Sequence, residues 1–165
     1  MTSSPIHTIF WDLKDTLIYP SSHESTHPAK NMGFDMVLVD WLMRHQDMQH
    51  VVVSNYTSKS AHDMIQQAGL SSYFCYISGA DEASQRKPHT SQYDNMPSFI
   101  KANPDGHLMI GDQLSDMMFA SNCGIKGLLI HQSYHSDIDD PFTAIQHSLN
   151  VTNWLDAQLC IEESL

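Results

Sequence analysis

Five short apolar runs, at residues 6–11, 49–53, 73–78, 107–110 and 127–131, alternate with longer stretches of helical spacing. No other feature constrains the fold as much. Strands interleaved with helices imply a parallel sheet covered on both faces. Between the strands, residues 34–44 carry Met36, Val37, Val39, Leu42 and Met43 at helical spacing, and 57–68 reads as a helix stopped by Gly69. Residues 91–101 read as a helix that Pro97 interrupts, 114–122 as a helix closed by Gly124, and 142–160 as one or two terminal helices. The stretch 20–33, polar and holding Pro20 and Pro28, reads as a loop or flap. The expected architecture is an α/β, doubly wound three-layer sandwich with a parallel sheet of roughly five strands. Residues 1–165 form one domain in this reading, with 18–34 as a short flap.

In such sheets ligands bind at the carboxyl ends of the strands. Asp12 ends the first strand, Ser54 the second and Asp112 the fourth, so three strand ends would converge on one polar pocket. The balance of charge narrows what that pocket can meet. With 8 Lys and Arg against 19 Asp and Glu, the formal net charge is −11. A polyanion needs a basic surface, so neither nucleic acid nor an anionic membrane is expected as a partner. Cys75, Cys123 and Cys160 are odd in number and share no close spacing, which favours reduced thiols over a disulfide framework or a zinc site. The first residues lack a basic stretch followed by an apolar one, and no apolar run approaches the roughly 20 residues that span a bilayer. A cytoplasmic location is expected, which makes the Asn-x-Thr tripeptides at Asn55 and Asn150 chance matches.

The segment Ile9-Phe10-Trp11-Asp12-Leu13-Lys14-Asp15-Thr16 is an apolar strand ending in aspartate, with a threonine four residues on. Ser54 follows Val51-Val52-Val53, Lys87 precedes Pro88, and Gly111-Asp112-Gln113-Leu114-Ser115-Asp116 leads into Ala120 and Gly124-Ile125. Taken in order, these resemble the four motifs of the haloacid dehalogenase-like superfamily, whose fold is Rossmann-like. The matches run from Ile9 to Ile125. The resemblance implies a hydrolase of phosphate esters in which Asp12 attacks phosphorus to form an aspartyl-phosphate, splitting one hard displacement into two easier ones. It implies Mg²⁺ held by Asp12, Asp112 and the backbone carbonyl of Lys14, with Asp116 as a further ligand or as the acceptor that orients one. Ser54, Asn55 and nearby backbone N–H groups would hold phosphoryl oxygens, and Lys87 would offset charge on Asp12 and on the transferring group. The partner is then a phosphorylated substrate of unstated size.

Two departures bear on function. The family's phosphatases carry a second aspartate two residues after the nucleophile, as general acid and then base; here that position is Lys14. An ammonium has no acceptor lone pair and is a poor base near its reference pKa of about 10.4. General acid–base help is worth about 10²–10⁴-fold, so turnover should be slow. Three outcomes stay open. The site binds phosphate tightly and turns over slowly, Lys14 occupies the metal position, or a buried neutral Lys14 acts as base. Asp15, where the family usually has glycine, tolerates a left-handed backbone better than most residues. The second departure is the lid. Residues 18–34 are too few for a helical cap, and 54–87 leave no room for another. A capless site is open, and a second copy of the chain could cover it. The rival reading is a catalytically impaired phosphate-binding or protein-interaction module. A metal-independent dehalogenase ranks below both, because that chemistry needs a closed apolar pocket.

Several features invite simpler readings. His23-Glu24-Ser25-Thr26-His27 fits a zinc-protease pattern, but flanking prolines and serines deny it a helix. His45, His62, His107 and His131 show no ligand spacing and read as surface or satisfied core residues. Met36, Met43, Met64, Met117 and Met118 read as core filling, and Trp41 and Trp154 as helix-packing aromatics. Ser54 alone could be a helix cap, Lys87 a loop lysine before proline, and Asp116 a charge favoured by a helix N-terminus.

Overall fold

The computed structural model describes residues 5–20, 32–130, 148–151 and 154–162. Six parallel strands form the sheet: β1 (Thr8–Trp11), β4 (Gln49–Val53), β5 (Tyr76–Ser78), β6 (His107–Gly111), β7 (Lys126–Ile130) and β8 (Ser148–Val151). Their order is β5-β4-β1-β6-β7-β8. The chain therefore starts in the middle, builds outward to β5, returns, and builds outward the other way from β6. β1 sits beside both β4 and β6, with Trp11 level with Val52 and Ile110. That reversal between β1 and β6 leaves a crevice at their carboxyl ends, where an open α/β sheet takes its ligand.

Side-chain alternation along each strand sorts the core into two layers. Ile9, Trp11, Val52, Ile110, Leu128 and Ile130 pack on one face with Leu38, Trp41 and Leu42 of α1 (Met36–Arg44), Ala61 and Ile65 of α2 (Ser58–Gln67), and Ala157 and Ile161 of α5 (Trp154–Glu162). Phe10, Val51, Val53, Met109 and Leu129 pack on the other with Met117, Phe119 and Ala120 of α4 (Leu114–Cys123) and with Met96 and Ile100 beyond the single-turn α3 (Ser91–Asp94). Helices cover both faces, which is why β1 and β6 are buried at every position. The doubly wound three-layer α/β fold expected from the sequence is the fold observed.

Helix ends follow from local chemistry. The Asp35 carboxylate accepts from Val37 N at 2.8 Å, and Thr57 Oγ1 from Ser60 N at 3.2 Å, capping α1 and α2. Gly69 and Gly124 end α2 and α4 at φ +71° and +70°. β2 (Tyr19–Pro20) and β3 (Met32–Gly33) pair antiparallel, so the stretch read as a flap has a hairpin base.

The structure corrects three expectations. Residues 148–151 form a sixth strand where a terminal helix was expected; a short run beside an established edge strand pairs with it, and only tertiary context supplies that edge. The helix expected over 91–101 is a single turn, because Pro97 cannot continue it. Met36, Met43 and Met118 are exposed, whereas Met117 is buried and Met64 packs partly against the core. His107 is the satisfied core residue expected: its Nδ1 lies 3.2 Å from the Tyr93 hydroxyl and its Nε2 3.1 Å from Ala102 O. His62 Nδ1 lies 2.8 Å from Ser58 O, and His45 stacks on Trp41. Cys75, Cys123 and Cys160 are not joined in a disulfide. Among the described residues no helix is long and apolar enough to cross a membrane. His23, His27 and His131 lie outside the described residues, as do the side chain of Trp154 and that of Asn150.

Candidate active site

Three backbone turns deliver the acidic residues. Asp12 follows β1, its N–H donating to Ile110 O at 2.9 Å, so the turn after β1 is tied to the end of β6. The chain then doubles back through Asp15 at φ +60°, the left-handed conformation that a short polar side chain tolerates. This brings Thr16 close enough to donate from Oγ1 to Asp112 Oδ1 at 3.2 Å. Asp116, on the first turn of α4, accepts at Oδ2 from Gln113 N at 3.1 Å. It approaches the strand end closely because residue 111 is glycine. A Cβ there would collide with the Asp116 side chain.

Asp12, Asp112 and Asp116 thus each present a carboxylate oxygen within 4.8 Å of the others, the only such group of three metal-binding side chains among the described residues. Between two of them sits Lys87. Its Nζ donates to Asp12 Oδ1 and Asp116 Oδ1, each at 2.6 Å, with the lysine side chain 1% exposed, Asp116 3% and Asp12 14%. Burial works against the charge on Lys87, but attraction to Asp116 and Asp12 outweighs it and raises the pKa above the ordinary lysine value. Burial, followed by repulsion from Asp12, Asp116 and Asp15, pushes Asp112 up to about 7. Burial also pushes Asp116 up to about 6, against the pull of Lys87.

An all-oxygen donor set, clustered and electrostatically unfavourable when ionised, fits a hard divalent cation such as Mg²⁺. Raised carboxyl pKa values favour the fold most at low pH, and that contribution fades as pH rises through about 6–7. A cation must therefore displace protons below about pH 7. The gain in Tm on adding Mg²⁺ is expected to be larger at about pH 8 than at about pH 5.5, with proton release detected by calorimetry in buffers of different ionisation enthalpy. An equal gain at both pH values would contradict this account of the cluster. In Mg²⁺-free buffer, Lys87→Met leaves Asp116 buried without its cation. The expected loss is about 3–5 kcal/mol in urea unfolding near pH 8, shrinking towards pH 5 as the carboxyl takes up a proton.

A cavity of about 230 Å³ opens beside this cluster, lined by Asp12, Lys14, Ser54, Asn55, Tyr56, Lys87, Gln113, Ser115 and Asp116. Ser54 is buried, and its Oγ accepts from Tyr56 N at 3.1 Å, which leaves the hydroxyl proton to be donated. The cap of α2 is Thr57, so helix capping is not what Ser54 does. Asn55 Oδ1 accepts from the Lys87 backbone N–H at 3.0 Å. Lys14 lies on the cavity wall with its side chain 48% exposed and its Nζ 3.8 Å from Asp15 Oδ2. The ammonium between carboxylates is therefore that of Lys87, and Lys14 lacks the burial that the neutral-base outcome requires. Asp15 is not among the lining residues, so it does not stand in for the missing aspartate.

Of the residues expected to form the site, Asp12, Lys14, Ser54, Asn55, Lys87 and Asp116 line the cavity, and Asp112 joins them through the carboxylate cluster. Thr16, Gln113 and Ser115 stood in the sequence only as members of the motif segments, with no role assigned, and Tyr56 was not singled out; its place two residues after Ser54 was the only signal of it.

The model of a family described as haloacid dehalogenase-like hydrolases matches residues 16–130, more than half of the chain. Phosphoglycolate phosphatase of Vibrio vulnificus (strain YJ016) is 25% identical over 118 residues, covering 72% of this chain and 46% of that protein. Phosphoglycolate phosphatase of Nitrosococcus oceani is 23% identical over 139 residues, covering 82% and 59%. The chain spans about half the length of these curated relatives. Among solved structures, the putative HAD-hydrolase YfnB from Bacillus subtilis, bound to magnesium, superposes with a TM-score of 0.78 at 11% identity, covering 96% of this chain and 99% of that one. That likeness is one of fold.

Proposed function

The chain belongs to the haloacid dehalogenase-like hydrolase family, and from that premise we propose that it is a Mg²⁺-dependent hydrolase of phosphate esters that works slowly through an aspartyl-phosphate at Asp12. The observation that carries the proposal is the Lys87 ammonium held 2.6 Å from both Asp12 and Asp116 at the wall of a cavity at the strand ends. A carboxylate that must approach a phosphate dianion needs positive charge fixed beside it, and Lys87 supplies that charge without reorganisation. The names of the curated relatives support phosphatase chemistry, and the magnesium named for YfnB supports the cation.

Asp12, Asp112, Asp116 and the backbone carbonyl of Lys14 would hold Mg²⁺. When bound, it supplies further positive charge against the phosphoryl oxygens. The chain's own groups do the rest. Asp12 attacks phosphorus in line with the ester oxygen, the ester bond breaks, and its electron pair leaves on that oxygen. Ser54 donates its hydroxyl proton to a phosphoryl oxygen, Asn55 fixes the backbone of Lys87, and Lys87 keeps Asp12 aimed. At residue 14, no carboxylate protonates the leaving oxygen or later takes a proton from the attacking water. Both half-reactions lose that assistance.

With no cap in this reading, the substrate's leaving group is left to solvent. The test is turnover of an aryl phosphate with Mg²⁺, together with binding of a beryllium fluoride phosphoryl mimic at Asp12. Failure of both would overturn the proposal. A second reading, an impaired phosphate-binding module, draws on the half-exposed Lys14 ammonium where a general acid belongs. Phosphate binding without Mg²⁺ and with no detectable turnover would favour it.

A further inference from the structure

Gln92 lies on α3, five residues beyond Lys87, and is 1% exposed. Its Nε2 donates to Ser54 O at 2.9 Å and lies 3.5 Å from both Ser78 O and Ser78 Oγ. Ser78 O also accepts from Ser54 N at 3.0 Å. One side-chain amide thus ties together the carboxyl ends of β4 and β5, at the point where β4 opens into the cavity loop. The two carbonyls fix which way the amide faces, because a flipped group would set its oxygen against both. The consequence is visible at the other atom: Gln92 Oε1 is buried with no hydrogen-bond partner. Buried acceptors are rarely left alone in native proteins. Here the orientation that strands Oε1 is the one that holds Ser54.

The grip is double. Upstream in the same segment, the Lys87 N–H donates to Asn55 Oδ1 at 3.0 Å. Residues 87–92 therefore fasten Ser54 and Asn55 at once, while the Lys87 ammonium reaches Asp12 and Asp116. Ser54 is itself buried, with Oγ accepting from Tyr56 N. Where its hydroxyl proton points depends on the backbone that Gln92 anchors.

We infer that Gln92 is a positioning residue for the phosphoryl group, acting through Ser54 to hold the loop after β4 in phosphate-receiving geometry. The inference rests on the phosphate-site reading above. The Gln92 amide donates to Ser54 and Ser78, not to the acidic residues, so its loss should weaken binding more than chemistry. The alternative is a polar residue that only fills the space under the strand ends, and then stability would change while phosphate affinity would not.

The experiment compares the full chain with Gln92→Met, which keeps the shape and removes the donor. Binding of inorganic phosphate is measured by calorimetry with and without Mg²⁺, alongside kcat and KM for an aryl phosphate. Phosphate affinity should fall by about fivefold, the size of one net hydrogen bond, with KM rising by a similar factor and kcat changing less. In a Ser54→Ala background the same substitution should have a clearly smaller effect, since the route through the hydroxyl is gone. Unchanged phosphate affinity in a folded Gln92→Met protein would overturn the inference, as would full additivity with Ser54→Ala. Should the methionine variant fail to fold, Gln92→Asn keeps an amide but withdraws it by one methylene and is read the same way. A wild-type chain that binds no phosphate would instead overturn the phosphate-site reading.

Discussion

Asp12→Asn is expected to abolish hydrolysis of phosphate esters, lowering kcat by roughly 10⁴-fold or more, as loss of a covalent nucleophile does elsewhere. The substitution is nearly isosteric and keeps a carbonyl oxygen facing Lys87, so the fold should survive. What disappears is the charge that attacks phosphorus. The neighbours offer no replacement: Asp116 is 3% exposed and held by both Lys87 and the Gln113 N–H, and Asp112 is held by Thr16. Removing the negative charge of Asp12 also removes one of the repulsions that raise Asp112 and Asp116. Their titration should move down in the variant, a change visible by carboxyl-selective NMR even though activity is gone. Residual activity within tenfold of wild type would place the nucleophile elsewhere.

Lys14→Asp should have the opposite effect. It restores a carboxyl group on the cavity wall, and kcat for an ester with a poor leaving group is expected to rise by about 10²–10⁴-fold. The existing contact of Lys14 is a loose one, 3.8 Å to Asp15 with the lysine side chain half exposed, so little stability is lost with it. The exchange also makes the pocket more negative by two charges. KM for phosphate esters should rise while Mg²⁺ binds more tightly, a split that separates acid–base assistance from a general improvement of the site. Lys14→Met is the control: it removes the cation without adding a proton carrier and should give no gain in kcat. If Lys14→Asp turned over no faster than Lys14→Met, the missing carboxylate would not be what limits the chain.

Much of this site was legible in the sequence because parallel sheets place their chemistry at strand ends. An apolar run that stops at Asp12, Ser54 or Asp112 marks both the end of a buried strand and the start of a polar pocket. The left-handed turn at Asp15 was readable for a similarly local reason. Other features depend on partners distant in the chain. That Lys87 is buried between Asp12 and Asp116, instead of lying in a loop before Pro88, is fixed by residues 75 and 29 positions away. β8 exists because β7 offers it an edge, and a helical reading of 142–160 has no access to that edge. Gln92 carried no sequence signal at all, since its role lies in two carbonyls at the ends of other strands. Whether Lys14 would sit among the carboxylates was equally unreadable, because side-chain direction after a tight turn is set by the turn.

The central claim is that a phosphoryl group is carried on the side chain at position 12. The most direct measurement is rapid acid quench during turnover with Mg²⁺, borohydride reduction of the trapped acyl phosphate, and peptide mass spectrometry. The expected result is a reduced side chain at residue 12, absent from Asp12→Asn. Turnover with no reduced residue, or with the reduction at Asp112 or Asp116, would contradict the account.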